Sequence, residues 1–161
     1  MQNQDESGRS MIEMLAVLSI MGVIMYGAIA GINFGIDMYK INATYNEVEE
    51  LAQSIVDLYS WNKQTPYSNL NIKTVCDNDA YPTCSNDNQT MTNQWGGRVI
   101  VGKRDDGNSF AIVYNSVPSI ACERLRTEPG FQNICVDKTT SCNQSSNELT
   151  FFLRGDPGCN D

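Results

Sequence analysis

The sequence predicts an α+β fold: a long N-terminal helix, hydrophobic and then amphipathic, packed on a mainly antiparallel β-sheet and stabilised by disulfides. Three observations lead there. Met14 to Ile36 is a run of 23 residues without a charge. Helical periodicity continues from it to about Asn62. All six cysteines lie later in the chain, among short β-branched and aromatic runs bounded by turn residues. The expected organisation is a long helix reaching to about residue 62 and a head over 63–161, with the apolar part of the helix at 14–36 and the amphipathic part at 37–62.

The apolar run reaches about 35 Å as a helix, enough to cross a hydrocarbon core of about 30 Å. Glu13 stands at its front edge, directly after Gly8-Arg9-Ser10-Met11-Ile12. A carboxylate at the centre of a membrane helix costs roughly 2.5–3.5 kcal/mol and less near the end, so an acid held here points to a cationic partner. Arg9 favours a cytoplasmic N-terminus, with Lys40 on the far flank. The cysteines, all on the far side, argue for that orientation more strongly. Gly27, Gly31 and Gly35 recur every four residues, a spacing that lets membrane helices approach closely. Ala28-Ile29-Ala30 offers a competing signal-peptidase site that would release a secreted domain beginning at Gly31. The absence of a basic n-region and the unbroken helical pattern argue against it.

Beyond the span, Ile41, Tyr45, Val48, Ala52, Ile55 and Tyr59 follow steps of four and three. This is the stripe of an amphipathic helix, broadened by Leu51, Val56 and Leu58. Glu47, Glu49, Glu50, Gln53 and Asp57 fall largely on other faces. Pro66 is a stop signal, which places the end near Trp61 or Asn62. A helix over 9–62 is about 80 Å long. One small head cannot bury it, so its first half needs lipid or other copies of itself.

Residues 63–94 are rich in Asn, Asp, Thr and Ser and read as an irregular connection with room for a short helix or strand. Cys76 and Cys84 within it can close a small loop. Trp95-Gly96-Gly97 opens a more regular region. Arg98–Val101 and Ser109–Tyr114 read as a hairpin about the turn Lys103 to Asn108. A short helix follows from Pro118 to Thr127, with the proline near its start. Ile134–Asp137 and Glu148–Arg154 complete a four-stranded sheet that covers the stripe from Ile41 to Tyr59.

Net charge is −8. An acidic chain is a poor partner for nucleic-acid phosphates, and no nucleic-acid binding is expected. The even cysteine count on one side of a span reads as disulfides in an oxidising compartment. With no histidine and no Cys-x-x-Cys pair, no metal is expected. The aspartates match no EF-hand spacing, and no nucleotide-binding fingerprint is present, so no cofactor is expected. Without histidine the usual general base is missing, and the chain reads as a non-enzyme. Three Asn-x-Ser/Thr matches, at Asn42, Asn88 and Asn143, are what an Asn-rich chain shows by chance.

Gly8, four residues, Glu13 and an apolar run without proline resemble the class III signal of type IV prepilins. The resemblance implies a leader over 1–8, removed by a prepilin-peptidase cut between Gly8 and Arg9 so that the helix spans 9–62, and methylation of the new amine. It also implies pairing of Glu13 with the N-terminal amine of a neighbouring subunit, and the Arg9 guanidinium offers Glu13 a second cation. More loosely, Trp95-Gly96-Gly97, Phe110 to Tyr114, Val117-Pro118, Cys122, Leu125 and Phe151-Phe152 resemble the order seen in type IVb pilins, including those of thin conjugative pili.

Six cysteines allow fifteen pairings, and the residues alone do not choose among them. The resemblance implies a bond from the late helix to the C-terminal region, Cys122–Cys159. The preferred set is then Cys76–Cys84, Cys122–Cys159 and Cys135–Cys142. The function implied is a pilus subunit. It would wait in the inner membrane with its N-terminus cytoplasmic, then polymerise with other pilin subunits through the assembly machinery into an extracellular filament for adhesion, aggregation or conjugative contact. Alternatives are a pseudopilin of a secretion system and an anchored or secreted disulfide-rich binding module.

Overall fold

The structure, a computed structural model, describes residues 5–59, 67–78, 83–85, 87, 89–104, 108–127, 130–154, 156, 158 and 159, with side chains from residue 11 onward. The chain divides into two units, Met1–Tyr39 and Lys40–Asp161. The first helix, α1, runs Asp5–Tyr59 through both. It therefore begins within the expected leader rather than at Arg9. No proline interrupts it, and Ala, Leu, Met, Ile and Glu dominate it, which are mostly good or tolerated helix formers. Trp61 and Asn62, where its end was expected, lie outside the described residues.

The second unit holds the core. Its remaining elements are α2 (Ile72–Asn78), β1 (Met91–Thr92), β2 (Arg98–Lys103), β3 (Phe110–Val117), α3 (Ser119–Thr127), β4 (Ile134–Val136) and β5 (Asn147–Leu153). The strands form one antiparallel sheet in the order β1-β2-β3-β5-β4. On α1, Ile41, Thr44, Val48, Leu51, Ala52 and Ile55 are buried. Facing them are Val99 and Val101 of β2, Phe110, Ile112 and Tyr114 of β3, and Leu149 and Phe151 of β5, which alternate along their strands as period two requires. Each fully buried Leu, Ile or Val contributes roughly 1.5–3 kcal/mol. Thr44 joins the apolar face because its hydroxyl donates to the Lys40 carbonyl one turn back, at 2.9 Å. Tyr45, Phe131, Phe151 and Tyr114 make a chain of tilted ring contacts, with centroids 4.6, 5.4 and 5.3 Å apart.

The sheet has five strands where the sequence predicts four. The addition, β1, is two residues long and has no alternation to reveal it. Asn93 creates it. Its carboxamide oxygen accepts from the backbone N–H groups of Trp95 and Gly97, and its amide nitrogen donates to the Asn115 carbonyl of β3 at 2.7 Å. That side chain folds the turn which brings Met91 opposite Val99. Trp95-Gly96-Gly97 is consequently the β1–β2 turn, directly before β2. Gly96 takes φ +78°, and a Cβ on Gly97 would collide with the Asn115 carbonyl.

Two of the three expected disulfides are re-paired. Cys76–Cys84 is present, but the other bonds are Cys122–Cys142 and Cys135–Cys159. The reason is the placement of β4 beside β5 at the sheet edge. Cys135 sits opposite Phe152, and the chain after Leu153 turns back so that Cys159 comes within 5.7 Å, Cα to Cα. Cys142 lies instead in the loop leading away from β4. That loop passes α3, where Arg126 donates to the Thr140 carbonyl, and so meets Cys122.

Candidate functional site: the apolar half of the long helix

The described residues contain one helix long and apolar enough to cross a membrane, and it is α1. From Met11 through Ile36 every side chain is exposed, Tyr26 at 79% and Val23 at 74%. A stretch of Met, Leu, Ile and Val this long, left without cover, calls for lipid or other protein, since soluble monomers rarely expose contiguous apolar patches beyond a few hundred Å².

Glu13 lies exposed within this surface, and no hydrogen bond or ion pair reaches it among the described residues. Gly8 and Arg9 are on the α1 backbone, while their side chains lie outside the described residues. The helical period brings Glu13 and the three glycines together: Gly27, Gly31 and Gly35 fall within about 40° of the Glu13 direction around the axis. Added Cβ atoms on these glycines meet nothing within 4 Å, so their backbone is open to an approaching surface. The cysteines, by contrast, are all in the second unit and are consumed as three disulfides.

Two acids that the helical stripe assigns to other faces prove to fasten α1 to the head. Glu47 accepts from the Tyr114 hydroxyl at 2.9 Å and from the Gln94 side chain at 2.7 Å. Glu49 accepts from the backbone N–H groups of Gln132 and Asn133, at 2.6 and 3.1 Å. The only sequence signal for Glu47 is its position one residue before Val48 on the stripe, which puts it at the border of the buried face. Glu49, one residue after Val48, lies at the opposite border by the same rule, but its partners are backbone groups of a distant loop that no sequence pattern announces. A third clasp joins the β2–β3 turn to the residues after β5: Arg104 pairs with the buried Asp156 and lies 4.7 Å over the Phe152 ring. The bonds of Glu47 and Glu49 fix the head on the amphipathic half of α1, while the Arg104–Asp156 pair acts within the head.

No curated protein and no solved structure matches the chain. A family model described as PilS N terminal matches residues 38–152. The matched span begins at Met38, so it covers the amphipathic part of α1 and the sheet but not Glu13 or the glycines. It takes in well over half of the 161 residues. With a long N-terminal helix on a disulfide-linked antiparallel sheet, the chain belongs to the PilS N-terminal family and is a pilus-related protein.

Proposed function

We propose that the chain is the structural subunit of a type IVb-like pilus. It is inserted in the inner membrane through residues 14–36 with its N-terminus cytoplasmic. Prepilin peptidase cuts it between Gly8 and Arg9 and the new amine is methylated. The assembly machinery then moves it into an extracellular filament for adhesion, aggregation or conjugative contact. Its role is structural and not catalytic. Glu13 is the docking charge and meets the N-terminal amine or the Arg9 guanidinium of a neighbouring copy, while the glycine face lets helices come close.

The observation that carries this reading is the exposed apolar half of α1 with an acid at its front edge that has no partner among the described residues. An ordinary anchor needs the apolar residues but gives the acid no task. Intact-mass measurement tests the processing. A chain beginning at Arg9, with or without one methyl group, is expected. A start at Gly31 would mean secretion, and a start at Met1 a simple anchor. Glu13→Ala tests the docking charge: membrane insertion is retained and fibres fail or are disordered. Normal fibres from Glu13→Ala would refute the docking role.

A further inference from the structure

Within the apolar run only three side chains are polar: Ser19, Tyr26 and Asn33. They stand seven residues apart, and Gly22, Ile29 and Ile36 follow each by three. The three polar residues therefore share an arc of about 40° on the helix, about 140° around from the face of Glu13 and the glycines. Ser19 satisfies itself by donating to the Leu15 carbonyl at 2.8 Å. Among the described residues, neither the Tyr26 hydroxyl nor the Asn33 carboxamide has a hydrogen-bond partner. Both side chains are exposed. In a bilayer centred on the run, Tyr26 is close to the midplane and Asn33 about 12 Å from it. No water is available there, and a polar group in hydrocarbon seeks a protein partner.

We propose that this seam pairs two copies of the chain in the membrane before filament assembly, as parallel helices in register. The inference rests on the membrane-spanning reading of α1 and not on the filament. Three features specify a second copy as the occupant. A carboxamide both donates and accepts, so Asn33 is complementary to Asn33 of another copy at the same depth, and the Tyr26 hydroxyl is likewise complementary to itself. Copies of one single-pass chain share a topology, so like residues meet at one level only in a parallel, in-register pair. A strict seven-residue repeat is the spacing of a left-handed crossing near +20°, in which a lone Asn fixes register. Gly22, with open space where a Cβ would stand, lets the backbones close one turn before the Tyr26 level. The Glu13 face stays free for a different neighbour, so pairing and filament contact use separate sides of the helix.

The full-length chain, expressed without assembly machinery and fractionated with membranes, provides the test. Single cysteines at Ile29→Cys and Ile36→Cys on the seam, and at Ile20→Cys and Ile24→Cys on the opposite side, are oxidised with copper phenanthroline. Cross-linked dimer is expected about tenfold in excess at the seam positions. In vesicles, Tyr26→Phe with Asn33→Leu should weaken self-association of fluorescently labelled chains about tenfold, while Glu13→Ala leaves it unchanged. Equal or greater cross-linking at Ile24→Cys, no dimer at all, or association indifferent to the double substitution overturns the proposal. With the assembly machinery restored, fibres that form although Ile29→Cys never cross-links would sink the pairing alone. A chain absent from the membrane fraction would sink the spanning reading as well.

Discussion

The Tyr114 hydroxyl donates a 2.9 Å hydrogen bond to Oε1 of Glu47, joining the central strand of the sheet to the long helix. Tyr114 is fully buried, and the second carboxylate oxygen of Glu47 is taken by Gln94. Glu47→Ala removes the carboxylate to which both the buried Tyr114 phenol and the Gln94 carboxamide donate. Loss of about 1–3 kcal/mol of unfolding free energy is expected, measured by denaturant titration of the full chain in detergent micelles. Tyr114→Phe in the Glu47→Ala background should cost less than it does alone, because the two share one interaction.

Gly97→Ala should destabilise the head by about 1–3 kcal/mol. The new methyl group would have to displace the backbone carbonyl of Asn115, which also holds the Asn93 side chain. Gly31→Ala, which meets open space, serves as the control and should leave the unfolding midpoint of the head unchanged.

Peptide mapping without reduction should recover Cys122 with Cys142 and Cys135 with Cys159. A peptide joining Cys122 to Cys159 would contradict the topology of β4. Replacing Cys122 and Cys142 together by serine opens a closure of 20 residues, worth about 3 kcal/mol in the chain-entropy model. The expected readout is a lower midpoint of thermal unfolding with the other two bonds intact.

Burial beside Phe110 raises the pKa of the Tyr67 phenol above its ordinary value near 10. The folded state thus holds this proton more tightly than the unfolded one. The resulting stability is fully present below pH 10 and is lost as pH rises through the folded value. Alkaline denaturation should begin later in Tyr67→Phe than in the parent chain. Ultraviolet titration should show a late-ionising component above the ordinary tyrosine value, and Tyr67→Phe should remove it.

Long-range periodicity was legible in the sequence, and short-range side-chain chemistry was not. The stripe from Ile41 to Ile55, the hairpin of β2 and β3, the short helix after Pro118 and the late strand Leu149 to Leu153 follow from spacing, because burial imposes it. Strand β1 escaped because Asn93, a single side chain, makes it. The partners of Cys122 and of Cys135, which are Cys142 and Cys159, escaped because they depend on which strand lies at the sheet edge, which no local pattern encodes. On the candidate surface, Glu13 and the glycines were visible as residue types at a spacing. Their common face needed only the continuity of α1. The clasps at Glu47 and Glu49 needed the tertiary fold.

Those two clasps decide where the protein can be divided. Excising a water-soluble fragment at residue 63, the apparent start of the head, would strip Val48, Leu51 and Ile55 from its interior and leave Tyr114 without its carboxylate. A display scaffold or crystallisation fragment should begin instead near Lys40, where the second unit starts. Grafting this head onto a foreign stalk demands carboxylates two positions apart at the matching height, so the stalk is not an interchangeable part.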